Sequence, residues 1–424
     1  MILDKEKPCG IVLGMENETG LQTARLLAWR GVPVVGVVKD PTTWACRTNT
    51  PRRIIRTDID AGNDAMTRAL VEFGSTLTRK AVLFPAWDET VHIISRDRAV
   101  LAPYFHIAVP PHDMLEMLTD KSLFHRHAQK NGFLVPRTFH ISSREDAEKI
   151  LDEARFPCIL KPSVKTAVWL ESYFGIKAHR ISTRDEFLGI YDQCRDMAEN
   201  FIVQEWVSGG DDSLYSFIGY FDARSKPLAT FVSKKLRQWP PGIGNTSLGQ
   251  ECRDDVVLRE GLRLFTGVPG FHGLGYLEMK RDDRTGEYFV IEANIGRGTG
   301  RSMLAEDCGV ELLLTKYCDK AGLPLPENRT QRHTGRKWIQ TVSDIRASFY
   351  MWKWGELTIP EWIRSIRGSK THAIFSWRDP MPALAYVFGK VILLLRKILN
   401  GKFRIHMNLM RGMNLTHDDG KVPS

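Results

Sequence analysis

Cysteine pairs at metal-binding or disulfide spacing are missing from this chain. Its seven cysteines are scattered along 424 residues, and no two of them form a CxxC pair. They are Cys9, Cys46, Cys158, Cys194, Cys252, Cys308 and Cys318. This spacing argues against a zinc site and against a disulfide framework, and it favours a reducing cytoplasm. The stretch 1–8 is polar, so we also expect no signal peptide there.

A glycine-rich dinucleotide fingerprint is missing as well. The turn after the first apolar run reads GMENETG (14–20) rather than GxGxxG, so a nucleotide site in this part is poorly supported. Apolar runs alternate with helical patterns at 10–14, 32–38, 81–86 and 106–110. This alternation predicts a doubly wound parallel α/β domain with a structural or substrate-facing role. Asp88 and Glu89 follow a strand, at the position where open sheets bind ligands. The alternative is that they are the N-cap and first-turn acid of the next helix.

Acidic residues are missing from 381–417, which holds six lysines and arginines. The net charge of the whole chain is +9, and the rest of the chain is close to balance. Such a segment favours an anionic partner, either lipid headgroups or nucleic acid. Because the excess is confined to one end, we expect no nucleic-acid partner for the protein as a whole.

The same segment has no apolar run long enough to span a membrane. Lys390, Lys397 and Arg404 interrupt 381–405 at intervals of seven, which places them on one helical stripe. A spanning helix needs about 20 apolar residues without a central charge. The pattern therefore favours an in-plane helix through 381–411 on an anionic membrane surface, with upstream tryptophans at the interface. Packing on the protein's own core or in a homodimer interface is the alternative.

The segment 275–298, GYLEMKRDDRTGEYFVIEANIGRG, contains two apolar runs that each hold a carboxylate. If they pair as antiparallel strands around a turn at 282–286, Glu292 and Asn294 share a face and Glu278 lies opposite them. Two carboxylates and a carboxamide form the hard-oxygen cluster that Mg²⁺ prefers when it also binds phosphates. A surface hairpin whose acids face water is the alternative.

Two lysines and a short strand motif suggest a nucleotide site. Lys161 ends an apolar strand in ILKP, and Lys121 in TDKS precedes it by forty residues. Both could contact phosphates, although each lysine alone is typical of a protein surface. QEWV at 204–207 suits an adenine hinge in which backbone groups bond the base and Glu205 bonds a ribose hydroxyl.

The order of the motifs TDKS, ILKP, QEWVSGGD, YLE and IEAN resembles the ATP-grasp superfamily, and the resemblance covers roughly residues 10–330. Within it, the chain is most similar to carboxylate–amine ligases of the D-aspartate ligase and carbamoyl-phosphate-synthase-like group. The resemblance implies two α+β subdomains that clasp ATP. The implied ATP-binding residues are Lys121 and Lys161 at the phosphates, Gln204, Glu205, Trp206 and Val207 at the adenine, and Asp212. Mg²⁺, or Mn²⁺ in its place, would bind Glu278, Glu292 and Asn294.

One segment departs from the family's pattern. After Lys161 the sequence reads SVKTAVWLESYFG, where the family usually has a glycine-rich loop over the phosphates. Either Lys165 and Thr166 replace that loop, or a longer loop closes only when substrate binds.

Three cations are candidates for catalysis. Lys235 and Arg237 alternate onto one predicted strand face ahead of a glycine-containing loop at 242–249, and Arg297 follows the IEAN motif. Such charges suit an acyl phosphate or a substrate carboxylate. The alternative for Lys235 and Arg237 is a solvated edge strand. The alternative for Arg297 is a plain surface arginine.

The expected organisation has three parts: a pre-ATP-grasp α/β domain at 1–115, an ATP-grasp domain at 116–330 and a Trp-rich, basic, largely helical extension at 331–424. The ATP-grasp domain would divide into subdomains at about 125–205 and about 206–330. The implied activity is ATP-dependent joining of a small-molecule carboxylate to an amine through an acyl phosphate. A carboxylase-like or phosphoryl-transferring enzyme and a regulatory ATP-binding module are the alternatives.

Overall fold

The computed structural model describes residues 7–57, 63–163, 166, 168–169, 178–242 and 244–399. The predictions about Lys165 and about the basic residues beyond position 400 concern residues outside these ranges.

The N-terminal unit is a five-stranded parallel sheet with strand order β3-β2-β1-β4-β5. Its strands are β1 (Gly10–Leu13), β2 (Val34–Val38), β3 (Arg53–Arg56), β4 (Ala81–Pro85) and β5 (Phe105–His106). Its helices are α1 (Glu18–Trp29), α2 (Asn63–Ser75), α3 (Asp88–Arg96) and α4 (Arg98–Leu101). β1, β2 and β4 are buried along their whole length, which explains their continuous apolar sequences. The predicted parallel α/β arrangement is confirmed.

A four-stranded antiparallel sheet follows, with strand order β6-β9-β7-β8. Helices α5 (His112–Thr119) and α6 (Lys121–Lys130) lead into it. Its strands are β6 (Thr138–Ile141), β7 (Cys158–Pro162), β8 (His179–Ile181) and β9 (Phe201–Glu205), and its helices are α7 (Arg144–Lys149) and α8 (Arg184–Cys194). It has a separate small core, in which Trp169 and Phe187 are fully buried.

The largest sheet has seven strands in the order β14-β13-β10-β11-β12-β15-β16. They are β10 (Leu214–Phe221), β11 (Pro227–Trp239), β12 (Asn245–Glu251), β13 (Gly273–Arg281), β14 (Tyr288–Ile295), β15 (Lys337–Ile339) and β16 (Lys370–His372). The accompanying helices are α9 (Asp255–Gly267), α10 (Ser302–Asp307), α11 (Leu312–Ala321), α12 (Thr341–Lys353), α13 (Ile359–Ser365) and α14 (Met381–Leu399). The segment after residue 330 was predicted to be largely helical, but it also adds β15 and β16 to this sheet.

The N-terminal sheet and the seven-stranded sheet share their hydrophobic core. Ile11 and Leu83 of the first belong to the same buried cluster as Phe217 and Leu277 of the second. Burial of side chains of this size stabilises the fold by roughly 1.5–3 kcal/mol each. The two sheets are therefore held together, and the site described below is built between them and the four-stranded sheet.

Helix α14 packs against the protein through Tyr386. The ring of Tyr386 meets Trp44 edge-on at 5.0 Å, and its hydroxyl accepts a hydrogen bond from Gln340 Nε2 at 2.9 Å. In the part of the chain that the structure describes, no helix combines the length and the apolarity needed to cross a membrane.

Candidate active site

A cleft of about 1310 Å³ brings together most of the predicted site residues. They are Lys121, Lys161, Gln204, Glu205, Trp206, Val207, Lys235, Glu278, Glu292, Asn294 and Arg297. These residues come from α6, from the four-stranded sheet and from the seven-stranded sheet. Chain segments that are far apart in sequence therefore converge on one cavity.

The carboxylate pair comes from the hairpin β13–β14. The strand register places Glu278 directly opposite Glu292 and Tyr276 opposite Asn294, so the predicted geometry of this hairpin is confirmed. Met279 pairs with Val290, which leaves Ile291 as a bulge in β14. Beyond this bulge, Glu292 and Asn294 both face the cleft.

Glu278 lies in a dense hydrogen-bond network. Lys235 Nζ is 3.1 and 3.0 Å from its two carboxylate oxygens, and the Tyr276 hydroxyl donates to it at 3.0 Å. Arg301 in turn donates to the Tyr276 hydroxyl. Burial raises the pKa of the Glu278 carboxyl, but the charges of Lys235 and Arg301 outweigh burial and hold the pKa below its ordinary value. The Glu278 carboxyl is therefore ionised at neutral pH.

Arg297 links the hairpin to the N-terminal unit. Its guanidinium donates to Asn294 Oδ1 at 2.6 Å and to Asp88 at the start of α3. Asn294 also donates to Glu292 Oε1 at 3.4 Å. Asp88 thus lies in the cleft, as expected for an acid that follows a strand of an open sheet, whereas Glu89 does not line it.

Lys121, at the start of α6, and Lys161, on β7, border the same part of the cleft. Both border a small cavity beside the cleft that Glu292 also lines. Lys161 Nζ donates to Gln204 Oε1 at 3.0 Å, and Gln204 donates to Thr138 Oγ1 at 3.1 Å. These bonds orient the lysine at the end of β7.

Lys280 is a cleft residue that the sequence interpretation missed. Its ammonium lies 4.2 Å from the ring centroid of Trp206, and burial lowers its pKa to about 8. Tyr276, Glu278 and Lys280 are spaced by two along β13 and all line the cleft. The same strand alternation that predicted Glu278 could have identified its two neighbours.

Arg237 does not line the cleft, and the expectation that it shares a face with Lys235 is wrong. Lys235 pairs with Gly249 and Arg237 with Leu248, so the strand bulges between them. Arg237 is buried and bonds both oxygens of Asp344, at 2.9 and 3.1 Å. Gln238 takes the cleft position instead, with its Oε1 3.3 Å from Lys235 Nζ.

Asp212, which was predicted to bind nucleotide, is exposed and lies outside the cleft lining. The neighbouring Asp211 is the residue with a structural role. It accepts hydrogen bonds from the backbone and side chain of Gln238 and from the backbone of Gly242. Burial raises the pKa of Asp211 despite these bonds. Asp211 therefore anchors the loop that follows β11.

The segment after Lys161 is described only at Thr166 and at 168–169. The Thr166 hydroxyl donates to the Met197 carbonyl at 2.6 Å and accepts from the Trp169 backbone at 3.1 Å. The Thr166 hydroxyl is thus used within the four-stranded unit, and the two alternatives for the segment after Lys161 stay predictions.

Further cleft residues come from segments with no recognisable motif. The loop after β1 contributes Asn17, Glu18 and Thr19, and the segment after residue 330 contributes Trp338, Gln340 and Ser343. Only long-range packing brings these segments to the hairpin. Arg301, seven residues after the end of the IEAN motif, also lines the cleft.

No model of a known protein family matches the chain. A curated relative, the D-aspartate ligase of Enterococcus faecium (strain Aus0004), is 23% identical over 243 residues. The match covers 55% of this chain and 58% of that enzyme, so the chain spans less than two thirds of the relative's length.

Solved structures similar to this chain include an N5-carboxyaminoimidazole ribonucleotide synthetase in complex with ADP, with a TM-score of 0.59 and 14% identity over 77% of this chain and 79% of that one. The biotin carboxylase of Campylobacter jejuni has a TM-score of 0.58 and 14% identity over 75% and 72% of the two chains. The L-amino acid ligase of Bacillus licheniformis has a TM-score of 0.56 and 12% identity over 77% of both.

These neighbours are ATP-grasp enzymes, and the chain has the ATP-grasp fold. The predicted resemblance to ATP-grasp carboxylate–amine ligases is confirmed, since the curated relative is a D-aspartate ligase.

Proposed function

We propose that this chain is an ATP- and Mg²⁺-dependent ligase that activates a small-molecule carboxylate as an acyl phosphate and joins it to an amine. The observation that carries the proposal is the Glu278–Glu292 pair, which lies directly opposite across β13–β14 and faces a cleft with Lys161, Lys235 and Arg301. Carboxylates and cations that converge in this way suit phosphoryl transfer.

The side-chain oxygens of Glu278, Glu292 and Asn294 fit a metal ion that is bound together with a nucleotide. Among the residues that the structure describes, no three His, Cys, Asp or Glu side chains group as a metal site. Mg²⁺ needs few protein carboxylates when phosphates and water supply its remaining oxygens, and Mn²⁺ accepts the same set. Glu278, Glu292 and the Asn294 amide would hold the ion. When bound, it would neutralise charge on the nucleotide phosphates.

The remaining residues position the reactants. Lys121 and Lys161 would contact the phosphates, and residues 204–207 with Lys280 would border the adenine. A carboxylate oxygen then attacks the γ-phosphorus as ADP leaves, and the amine next displaces inorganic phosphate from the acyl carbon. Lys235 and Arg301 would offset the negative charge that these steps bring together.

A substrate screen tests the proposal. The protein is incubated with Mg-ATP and pooled carboxylates and amines, phosphate release is followed, and the product mass is measured. We expect release that requires one carboxylate and one amine, with a product lighter by one water than the two together. Release that requires bicarbonate would favour a carboxylase. ATP binding without release from any pair would favour a regulatory module.

We also propose that α14 binds an anionic membrane surface. Leu384, Val387, Phe388, Val391 and Leu395 fall on one helical face and are 47–68% exposed. Tyr386 on the opposite side packs against the protein. The acid-free, basic sequence of 381–417 supplies the charge that complements anionic lipid. An exposed apolar stripe with this charge supports an in-plane membrane helix.

Substitution of the apolar stripe tests this surface. We expect the chain to float with phosphatidylserine-containing vesicles, and the double variant Phe388→Glu/Val391→Glu to bind them at least about tenfold more weakly. Ile363→Glu, at an exposed position of α13, is the matched control and should bind normally. Equal binding to phosphatidylcholine vesicles would contradict the charge argument. A chain that ignores both vesicles but forms a dimer that the double variant dissociates would make this face a homodimer interface.

A further inference from the structure

The N-terminal unit presents a carboxylate to the cleft at the start of α1. Asn17 caps this helix by accepting a hydrogen bond from the Gly20 backbone at 2.7 Å, and Glu18 is the first helical residue. Gly20 permits the tight turn, because a Cβ there would lie 2.3 Å from the Gly14 carbonyl oxygen. This fixed turn holds Glu18 at the cleft wall.

The Glu18 carboxylate lies beside the loop that follows the hairpin. A Cβ placed on Gly300 would be 3.0 Å from Glu18 Oε1 and 3.3 Å from Trp338 Cζ2. Arg301, the next residue, bonds Tyr276 and through it the Glu278 network. Glu18 is thus next to the segment that connects the predicted metal site with the C-terminal wall of the cleft.

Glu18 differs from every other acid that lines the cleft. Within the described residues, each of the others has a partner for its carboxylate: Asp88 with Arg297, Glu116 with His112, Asp120 with the Leu123 backbone, Glu205 with Arg155, Glu278 with Lys235 and Glu292 with Asn294. None of the described residues donates a hydrogen bond to Glu18 or pairs with its charge. Burial raises the pKa of Glu18 to about 7.

The amine half of the proposed reaction needs such a group. An amine enters the cleft as an ammonium ion, which Lys235 and Arg301 would repel and a carboxylate would attract. The nitrogen must also lose a proton before its lone pair can attack an acyl carbon. A carboxylate whose pKa lies near the working pH can accept that proton.

We propose that Glu18 binds the ammonium group of a primary amine substrate and is the base that deprotonates it. This inference rests on the proposed function. The proton passes from nitrogen to a Glu18 oxygen, and the nitrogen lone pair forms the C–N bond. The acyl C–O bond breaks, and inorganic phosphate leaves with that electron pair. The second proton lost from nitrogen leaves with phosphate or solvent.

The role of Glu18 as a base can be tested with a nucleophile that attacks without first losing a proton. Hydroxylamine is neutral at neutral pH and traps acyl phosphates as hydroxamates. With the amine found in the screen, Glu18→Gln should lower kcat by on the order of 10²-fold or more. With saturating hydroxylamine, we expect hydroxamate formation within about twofold of wild type, since the base is not required.

The matched control is Glu16→Gln, two residues earlier and outside the cleft lining, where Oε1 accepts from the Lys39 backbone at 3.0 Å. It should leave the ratio of the two activities unchanged. Equal losses with amine and hydroxylamine in Glu18→Gln would overturn the assignment, as would no loss with either. A wild-type protein that releases no phosphate and forms no product with any carboxylate–amine pair would refute the proposed ligase activity instead.

Discussion

Replacement of Glu292 by Gln is expected to abolish turnover while the fold remains intact. The Glu292 side chain faces the cleft directly opposite Glu278. Glutamine has the same size as glutamate but lacks the negative charge that a divalent cation requires. Loss of the electrostatic stabilisation should lower kcat by on the order of 10²–10³-fold. The measurement is ADP release under saturating Mg-ATP, together with a thermal unfolding curve.

Glu287→Gln on the same hairpin is the matched control. Glu287 is exposed at the turn and does not line the cleft, so its substitution should leave both kcat and the unfolding temperature near wild type. Near-normal turnover of Glu292→Gln, at any Mg²⁺ concentration, would show that this carboxylate does not serve the metal.

Replacement of Lys235 by Met should impair both activity and stability. Its ammonium lies 3.0 Å from Glu278, with both side chains almost fully buried. Removal leaves the carboxylate without its cation, which typically costs about 3–5 kcal/mol of the free energy of unfolding. We also expect kcat to fall on the order of 10²–10³-fold, because a cation facing the reacting groups is lost.

Arg237→Met separates these two effects, because Arg237 lies two residues away on the same strand but bonds Asp344 outside the cleft. It should lose a similar amount of stability and keep most of its kcat when assayed well below its unfolding temperature. Equal losses of kcat in the two variants would mean that Lys235 acts only through the fold.

Strand periodicity was sufficient to predict the hairpin. Because side chains alternate along a strand, Glu278, Glu292 and Asn294 could be assigned to one cleft from sequence alone. The same rule misplaced Arg237, because β11 contains a bulge that shifts the alternation by one residue. Bulges depend on how a strand pairs with its neighbours, and no short sequence pattern marks this one.

Long-range packing explains the residues that were missed. β15 and β16 are three residues each, too short to show a period, yet they extend the largest sheet and bring Trp338 and Gln340 to the cleft. Glu18 belongs to a turn that lacks the glycine fingerprint and was therefore assigned no nucleotide role. The parallel sheet places that turn beside Gly300, some 280 residues later, which local pattern cannot reveal.

The most direct test of acyl-phosphate formation is the transfer of heavy oxygen from the carboxylate substrate to inorganic phosphate. The carboxylate identified in the screen is labelled at both oxygens, and the phosphate released during turnover is analysed by mass spectrometry. If the carboxylate attacks the γ-phosphorus, one labelled oxygen must appear in each phosphate. Phosphate that carries no label, with product still formed, would contradict the proposed mechanism.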